Sequence, residues 1–154
     1  MQVVTTVIHM SAVSEIMSKG VVAIDLGAGT SALDIASAMV KGKTGAVIVL
    51  RDGRPAGIIT ERDLLKKVVA KNVKPNQARA EDIMSSPLVT VKAYDSVDTA
   101  AGLMTKNRIK RLPVLEDDGS LAGMLSATDI AKRLAKILAD DQSRYRSLNA
   151  AAEL

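Results

Sequence analysis

The sequence predicts a mixed α/β (α+β) fold made of two β-α-β-β-α repeats that pack through their sheets as a pseudo-two-fold pair. Segment 45–64, GAVIVLRDGRPAGIITERDL, recurs as segment 110–130, KRLPVLEDDGSLAGMLSATDI, with one extra residue in the turn. An Ile-Met pair precedes each copy, at 16–17 and again at 83–84, so the repeat period is about 66 residues. At 154 residues the chain has room for two such copies and no third.

The first copy begins with a short β-like run after its Ile-Met pair and continues with a helix. The apolar residues of segment 31–40, SALDIASAMV, recur at helical spacing. The runs AVIVL and AGIIT follow on either side of Asp52-Gly53, and Asp-Gly between two such runs is a strong signal of a β-hairpin. A second helix is predicted over about residues 61–70.

The second copy repeats this order with different residues. Segment 96–104, SVDTAAGLM, has the helical period, and the runs LPVLE and AGMLS flank Asp118-Gly119. A helix over about residues 127–140 completes the copy. Both copies therefore predict the same five elements in the same order.

Neither repeat can cover its own sheet, because a three-stranded sheet with two helices leaves one apolar face open. We therefore expect the two sheets to face each other. The predicted organisation is a first repeat at 11–70, a polar linker at 71–80, a second repeat at 81–140 and a helical tail at 141–154. An apolar stripe that continues into the tail is expected to pack on the protein or on a second subunit: Ile130, Leu134, Ile137, Leu138, Tyr145 and Leu148.

The composition narrows the possible functions. It is 47% hydrophobic and 25% charged, with two Tyr and no Phe or Trp, so the core must be aliphatic and base stacking on aromatic rings is nearly excluded. The net charge of +4 is spread along the chain, and we expect no nucleic-acid partner. The absence of Cys, of a signal-peptide pattern and of a long apolar run predicts a cytoplasmic protein without a membrane partner.

Little in the sequence predicts catalysis or metal binding. His9 is the one histidine, and no phosphate-loop, serine-hydrolase or zinc-protease motif is present. We expect no catalytic residues, no metal site, no cofactor and no enzyme activity.

One motif, Gly-x-x-[Thr/Ser]-x-x-Asp, occurs once in each copy and fits two interpretations. In a capping box, the hydroxyl accepts a hydrogen bond from the backbone of the Asp, and the carboxylate accepts one from the N-cap amide. In a ligand site, the same helix N-terminus suits a phosphate, the carboxylate suits ribose hydroxyls, and the glycine admits a ligand close to the strand. The spacing alone leaves both open. The residues concerned are Gly57, Thr60 and Asp63, and then Gly123, Ser126 and Asp129.

The whole pattern, from Ile-Met through RIKRLPVLEDDGSLAGML to the S-x-x-D helix start, resembles a tandem pair of CBS domains, the repeats named after cystathionine β-synthase. The likeness covers about residues 13–134, in both copies. It implies a Bateman module, in which two repeats pack through their sheets and bind adenosine-containing ligands in clefts between them. Such modules often dimerise further into a disk.

The resemblance also implies roles for individual residues. Each motif Asp holds a ribose, and each motif Thr or Ser faces a phosphate, so Thr60 and Asp63 serve one cleft and Ser126 and Asp129 the other. Positions that match the adenine contacts of the family are occupied by Val22, Thr44, Val89 and Ile109.

The two clefts are expected to differ in charge. Lys110 and Arg111 stand at the start of a strand in the second copy, where the first copy has Gly45 and Ala46. Side chains alternate along a strand, so only one of the two cations can face the cleft, and we favour Lys110. In the first copy Arg62 can take over this role. We therefore expect the cleft of the second motif to prefer phosphorylated nucleotides.

These inferences predict a regulatory, ligand-sensing module. We expect it to bind AMP, ADP, ATP or an adenosyl relative, to form a homodimer, and to act in trans through an unidentified protein partner. The alternative is a structural or interaction dimer whose clefts no longer bind a ligand.

Overall fold

Two three-stranded sheets, each flanked by helices, make up the computed structural model, which describes residues 11–27 and 29–152. In each sheet the central strand runs parallel to the strand before it and antiparallel to the strand after it. The predicted β-α-β-β-α order is confirmed in both repeats.

The first repeat contains a short α-helix, α2, that continues without a break as one π-helical turn, Leu65–Val69. The bounds of its elements are β1 (Ala23–Asp25), α1 (Ala32–Gly42), β2 (Ala46–Arg51), β3 (Arg54–Thr60) and α2 (Glu61–Leu64).

The second repeat has the same elements and a much longer final helix. A helical segment that the sequence did not predict precedes each repeat: a 3₁₀ turn at Val13–Glu15 before the first, and α3 before the second. The bounds of the remaining elements are α3 (Ala80–Ile83), β4 (Val91–Lys92), α4 (Val97–Asn107), β5 (Arg111–Leu115), β6 (Leu121–Ser126) and α5 (Ala127–Ala152).

Helix α1 begins and ends at residues suited to those positions. At its start, Asp34 Oδ2 accepts the backbone N–H of Ser31 at 2.8 Å, and the Ser31 hydroxyl accepts the N–H of Asp34 at 3.3 Å. The hydrogen bonds from the Ser31 backbone and hydroxyl hold the pKa of Asp34 below its ordinary value. At its end, Lys43 takes a left-handed conformation with φ 50°, and α4 ends in the same way at Arg108, with φ 54°.

The two hairpins differ in the turn, as the sequence predicts. Between β2 and β3, both Asp52 and Gly53 have positive φ, 53° and 74°, which is the signature of a two-residue type I′ turn. The second turn is longer, and the amide of Gly119 donates to the carbonyl of Glu116 at 3.0 Å.

Both faces of the central strands are buried. Val47 and Val49 belong to the core of the first repeat, while Ile48, between them, points to the opposite face and is also fully buried. Pro113 is fully buried in the same way in β5. The second face is therefore covered too, as expected for two repeats packed through their sheets.

The segment that leads into each repeat packs in the core of the other repeat. Val13, at the N-terminal end of the first repeat, packs in the core of the second. Ala80 and Ile83, which lead into the second repeat, pack in the core of the first. Each leading segment also bridges to the other hairpin, Ser18 to Met124 and Ser85 to Ile58. The repeats are thus interleaved, which the repeat boundaries in the sequence did not predict.

The C-terminal segment differs from the prediction in one respect. Helix α5 runs without a break from Ala127 to Ala152, so the helix that was predicted to end near residue 140 continues into the predicted helical tail. Capping at residue 140 would need a residue that stops a helix, and ADDQ supplies none. No helix among the described residues is long and apolar enough to cross a membrane. His9 and the side chains of Tyr145 and Leu148 lie outside what the structure describes.

Candidate functional site

A cleft between the repeats, which we call the Ser126 cleft, brings several of the predicted site residues together. Its cavity has a volume of about 160 Å³. Val22 and Thr44 line it from the first repeat, and Arg111, Ser126 and Asp129 line it from the second. The cleft is therefore composite: the predicted adenine positions of one repeat meet the predicted ribose acceptor of the other.

Ser126 and Asp129 form a complete capping box at the start of α5. Asp129 Oδ2 accepts both the backbone N–H and the hydroxyl of Ser126, at 2.8 and 2.7 Å. The Ser126 hydroxyl oxygen accepts the N–H of Asp129 at 3.1 Å. Thr60 and Asp63 make the same three bonds at α2, at 2.9, 3.0 and 3.4 Å. The capping interpretation is confirmed for both motifs, and in both boxes only one carboxylate oxygen is used.

The second carboxylate oxygen distinguishes the two motifs. Asp63 Oδ1 forms an ion pair with Lys67 Nζ at 3.1 Å, and the same ammonium donates to the carbonyl of Ile83 at 2.6 Å. Asp129 Oδ1 has no such partner in the described part of the chain. Arg133 stands one turn after Asp129, where Lys67 stands after Asp63, and its buried Nε has no hydrogen-bond partner there. Asp129 therefore keeps an acceptor free.

Arg111 lines the Ser126 cleft, whereas the sequence favoured Lys110 for this position. Arg111 is the first residue of β5 and pairs with Ser126 across the sheet, so the two side chains share a face. Lys110 precedes the strand, is exposed, and contributes its carbonyl to the amide of Ala127 at 2.9 Å. In the first repeat Ala46 pairs with Thr60 and so occupies the place of Arg111.

Gly45 allows the Arg111 side chain to reach the first repeat. A Cβ at Gly45 would lie 3.0 Å from Arg111 Nη2 and 2.9 Å from Glu61 Oε2. The guanidinium therefore ends in the space beside the start of α2, where a larger residue at position 45 would obstruct it.

The motif glycines make room for the interleaved segments, a role that the sequence did not predict. A Cβ at Gly123 would lie 2.6 Å from the backbone oxygen of Ser18 and 2.8 Å from Met17 Sδ. A Cβ at Gly57 would lie 2.5 Å from Met84 Sδ. The Ile-Met segments of the sequence motif therefore pack directly on these glycines.

Three other predicted site residues, Val89, Ile109 and Arg62, do not line the Ser126 cleft. Val89 and Ile109 pack, partly buried, against the core of the second repeat. Arg62 is exposed on α2. No group of three or more His, Cys, Asp or Glu side chains that could hold a metal ion occurs within residues 11–27 and 29–152.

A family model described as CBS domain matches the chain twice, at residues 13–70 and 80–136. The uncharacterized protein MK0525 of Methanopyrus kandleri is 41% identical over 101 residues, which are 65% of this chain and 52% of that protein. The chain thus spans about half the length of that relative.

Of two similar solved structures, one is a ligand complex and the other is an oligomer. The CBS domain pair of protein MJ0100, in complex with 5′-methylthioadenosine and S-adenosyl-L-methionine, is 26% identical with a TM-score of 0.71, covering 82% of this chain and 97% of that one. The hexameric CBS-CP12 protein from bloom-forming cyanobacteria is 31% identical with a TM-score of 0.72, covering 79% of this chain and 70% of that one.

Proposed function

This chain belongs to the CBS domain family, and on that premise we propose that it is a non-enzymatic regulatory module that binds an adenosine-containing ligand in the Ser126 cleft. The observation that carries the proposal is the free Oδ1 of Asp129 beside Arg111 in a cavity formed by both repeats. A similar CBS domain pair binds two adenosine compounds, which supports the same ligand class here.

Each lining group has a part in the proposed complex. The free oxygen of Asp129 accepts a ribose hydroxyl, and Val22 packs against the adenine. A phosphate, where the ligand has one, meets the guanidinium of Arg111, which ends beside the start of α2. Hydrogen bonds to charged groups are worth about 1.5–3 kcal/mol each, so Arg111 favours phosphorylated ligands over adenosine.

Binding requires the cleft to widen, and this supplies the regulatory output. Pockets for small molecules hold about 300–1,000 Å³, whereas this cavity measures about 160 Å³. Ser18, which lines the cleft, is joined to Met124 by two backbone hydrogen bonds of 2.9 Å. A ligand that enters the cleft displaces the segment beyond Ser18 or the Arg111 side chain. A partner protein in trans reads that change.

The cleft of Thr60 and Asp63 is proposed to be the weaker site. Lys67 already neutralises Asp63, and Ala46 replaces the cation that Arg111 supplies. An uncharged adenosine compound suits it better than a nucleotide. This keeps the predicted inequality of the two clefts but transfers the role of Lys110 to Arg111.

A thermal-shift screen with AMP, ADP, ATP, S-adenosylmethionine and adenosine tests the proposal. A ligand at 100 times its Kd stabilises the native state by about 2.7 kcal/mol, so a true ligand raises the melting temperature visibly. We predict that Arg111→Ala weakens AMP binding about tenfold or more, since it removes a charge-assisted hydrogen bond. Lys110→Ala removes the same charge outside the cleft and serves as the matched control. Equal AMP affinity in both variants would contradict the assignment.

The alternative function is an interaction module with clefts that bind no ligand. The two capping boxes favour this alternative, because their hydrogen bonds are complete without a ligand. Failure of every adenosine compound to raise the melting temperature would favour this alternative.

We further propose that two chains form a homodimer through α1 and α2. Large apolar side chains are exposed on α1, where Val40 is 79% exposed, and on the π turn that continues α2, where Leu65 is 58% and Val69 66% exposed. A groove of about 420 Å³ runs between the helices. Burying such side chains against a second copy stabilises the pair by removing apolar surface from water.

A further inference from the structure

A second cavity, of about 240 Å³, lies at the far end of the first repeat and is not used by the proposed function. We call it the Arg51–Arg79 pocket. Arg51 is the last residue of β2, whereas Ala46, its first, pairs with Thr60. At about 3.3 Å per residue, the pocket lies about 16 Å along the sheet from the motif helix of that repeat. Its lining consists of Leu26, Gly27, Thr30, Arg51, Arg79 and Glu81.

Backbone hydrogen bonds hold the three segments that form this pocket together. The amide of Leu26 donates to the carbonyl of Leu50 at 2.8 Å, which fixes the loop after β1 beside the end of β2. The amide of Ala80 donates to the carbonyl of Thr30 at 2.9 Å, which fixes the end of the linker beside the same loop. These hydrogen bonds hold Leu26 and Thr30 beside Arg51 and Arg79, which carry the two guanidinium groups.

The pocket contains more positive than negative charge. Arg51 Nη2 forms an ion pair with Glu81 Oε1 at 2.6 Å. Arg79 has no ion pair or side-chain hydrogen bond in the described part of the chain. The Thr30 hydroxyl makes only a long bond of 3.4 Å to the carbonyl of Gly27. One guanidinium, one hydroxyl and the unused donors of Arg51 thus face the same space.

The two arginines are not a requirement of the fold. The bridge between Ser31 and Arg79 has its counterpart in the bridge between Ser96 and Ala12, so Ala12 occupies the place of Arg79 in the other repeat. Glu116, which follows β5, stands in the place of Arg51. The cationic pair therefore belongs to one end of one repeat.

We propose that the Arg51–Arg79 pocket binds a small oxyanion, either inorganic phosphate or the phosphoryl group of a metabolite. Arg guanidinium groups bind phosphate oxygens through paired N–H donors, and the Thr30 hydroxyl adds a third donor. The lining offers guanidinium and hydroxyl donors and a single large apolar side chain, Leu26, so it suits a phosphoryl group better than a nucleotide base. The anion competes with Glu81 for Arg51.

Occupation of this pocket would tie the linker to the first repeat. Arg79 ends the linker, and α3, which follows it, leads to Ser85, whose amide and carbonyl both bond to Ile58 in β3. An anion that draws Arg51 away from Glu81 releases one contact of α3. The site is thus placed to modulate the Thr60 side of the module independently of the Ser126 cleft.

NMR titration of the ¹⁵N-labelled protein with inorganic phosphate, and separately with glycerol 3-phosphate, tests the proposal, because it resolves this pocket from the Arg111 site. We expect saturable shifts of the Gly27 and Thr30 amides with at least one of the two anions, and the tighter one identifies the source. Absence of such shifts with both anions overturns the proposal.

Three variants distinguish anion binding in this pocket from nonspecific attraction of anions to the protein surface. Arg79→Ala is expected to weaken binding at Gly27 and Thr30 about tenfold or more, in line with the loss of one charge-assisted hydrogen bond. Glu81→Gln is expected to strengthen binding, because the competing carboxylate is removed. Arg54→Ala, which removes an exposed cation from the nearby turn, is the matched control. If Arg54→Ala weakens binding as much as Arg79→Ala, or Glu81→Gln leaves it unchanged, the proposed site is wrong.

Discussion

Asp63 and Asp129 hold equivalent positions in the two repeats, yet their surroundings give them different capacities. Both complete a capping box, but Lys67 occupies the second oxygen of Asp63 and nothing described occupies that of Asp129. A carboxylate that is already paired loses that interaction when it accepts a ligand hydroxyl. The ion pair is partly exposed, so its own strength is modest.

We predict that Lys67→Met strengthens ligand binding at the Thr60 side. The substitution frees the second oxygen of Asp63 and leaves the capping box intact. The measurement is calorimetric stoichiometry with adenosine, which is expected to rise from about one towards two per chain. Lys66→Met removes the same charge from an exposed neighbour and is the control. An unchanged stoichiometry in Lys67→Met would mean that the ion pair does not restrain the site.

For individual residues, the sequence predicted the members of both motifs. It missed two of their neighbours, Arg111 and Lys67. The Thr-x-x-Asp and Ser-x-x-Asp spacing is local, so both capping boxes could be predicted. The choice between Lys110 and Arg111 depends on the residue at which β5 begins, which no local pattern reveals. The Asp63–Lys67 pair could have been found, because an acid followed four residues later by a base is a recognisable helical pair.

Among the elements, the two hairpins and the interleaved Ile-Met segments determine the shape of the module. The Asp-Gly turns and aliphatic runs predicted the hairpins, because strand period and turn chemistry are local signals. The exchange of leading segments depends on contacts between residues far apart in the sequence, such as the bridges of Ser18 to Met124 and of Ser85 to Ile58. Hydrophobic periodicity carries no information about such contacts. The sequence therefore did not predict that the glycines of the motif admit these segments.

We predict that Gly123→Ala lowers the free energy of unfolding by about 1–3 kcal/mol, as overpacking does. The added methyl group meets the backbone oxygen of Ser18 at 2.6 Å, which cannot move without breaking the bridge to Met124. Gly57→Ala is expected to cost less, because it meets the flexible side chain of Met84.

Urea denaturation of the variants provides the test. Gly102→Ala, in the interior of α4 with nothing within 4 Å of the new methyl group, is the control and should stabilise the protein by about 0.5–1 kcal/mol. If Gly123→Ala and Gly57→Ala cost the same, the backbone contact at Ser18 is not the deciding one.

For the whole molecule, the pairing of two repeats through their sheets followed from the sequence, since one sheet face per repeat had to be covered. The unpaired apolar surface of α1 and α2 follows from the structure. We predict that the protein is a dimer and that Val40→Glu and Leu65→Glu each shift it to monomer at micromolar concentration, because a charge buried at an apolar interface is costly.

Light scattering of the purified protein measures this directly. Val73→Glu, which introduces the same charge at a 39% exposed residue of the linker, should remain a dimer. A wild-type protein with the mass of one chain would contradict the proposed dimer.

The central claim is that an adenosine compound binds in the Ser126 cleft and depends on Asp129. Isothermal titration calorimetry of the wild type, Asp129→Ala and Asp63→Ala with AMP, ATP and S-adenosylmethionine tests it most directly. We predict about one equivalent of at least one compound per chain in the wild type and in Asp63→Ala, and binding about tenfold weaker or more in Asp129→Ala. Loss of a capping residue costs about 0.5–2 kcal/mol, so Asp129→Ala is expected to remain folded, which circular dichroism verifies. Binding that survives in a folded Asp129→Ala, or no binding of any of the three compounds to the wild type, would contradict the account.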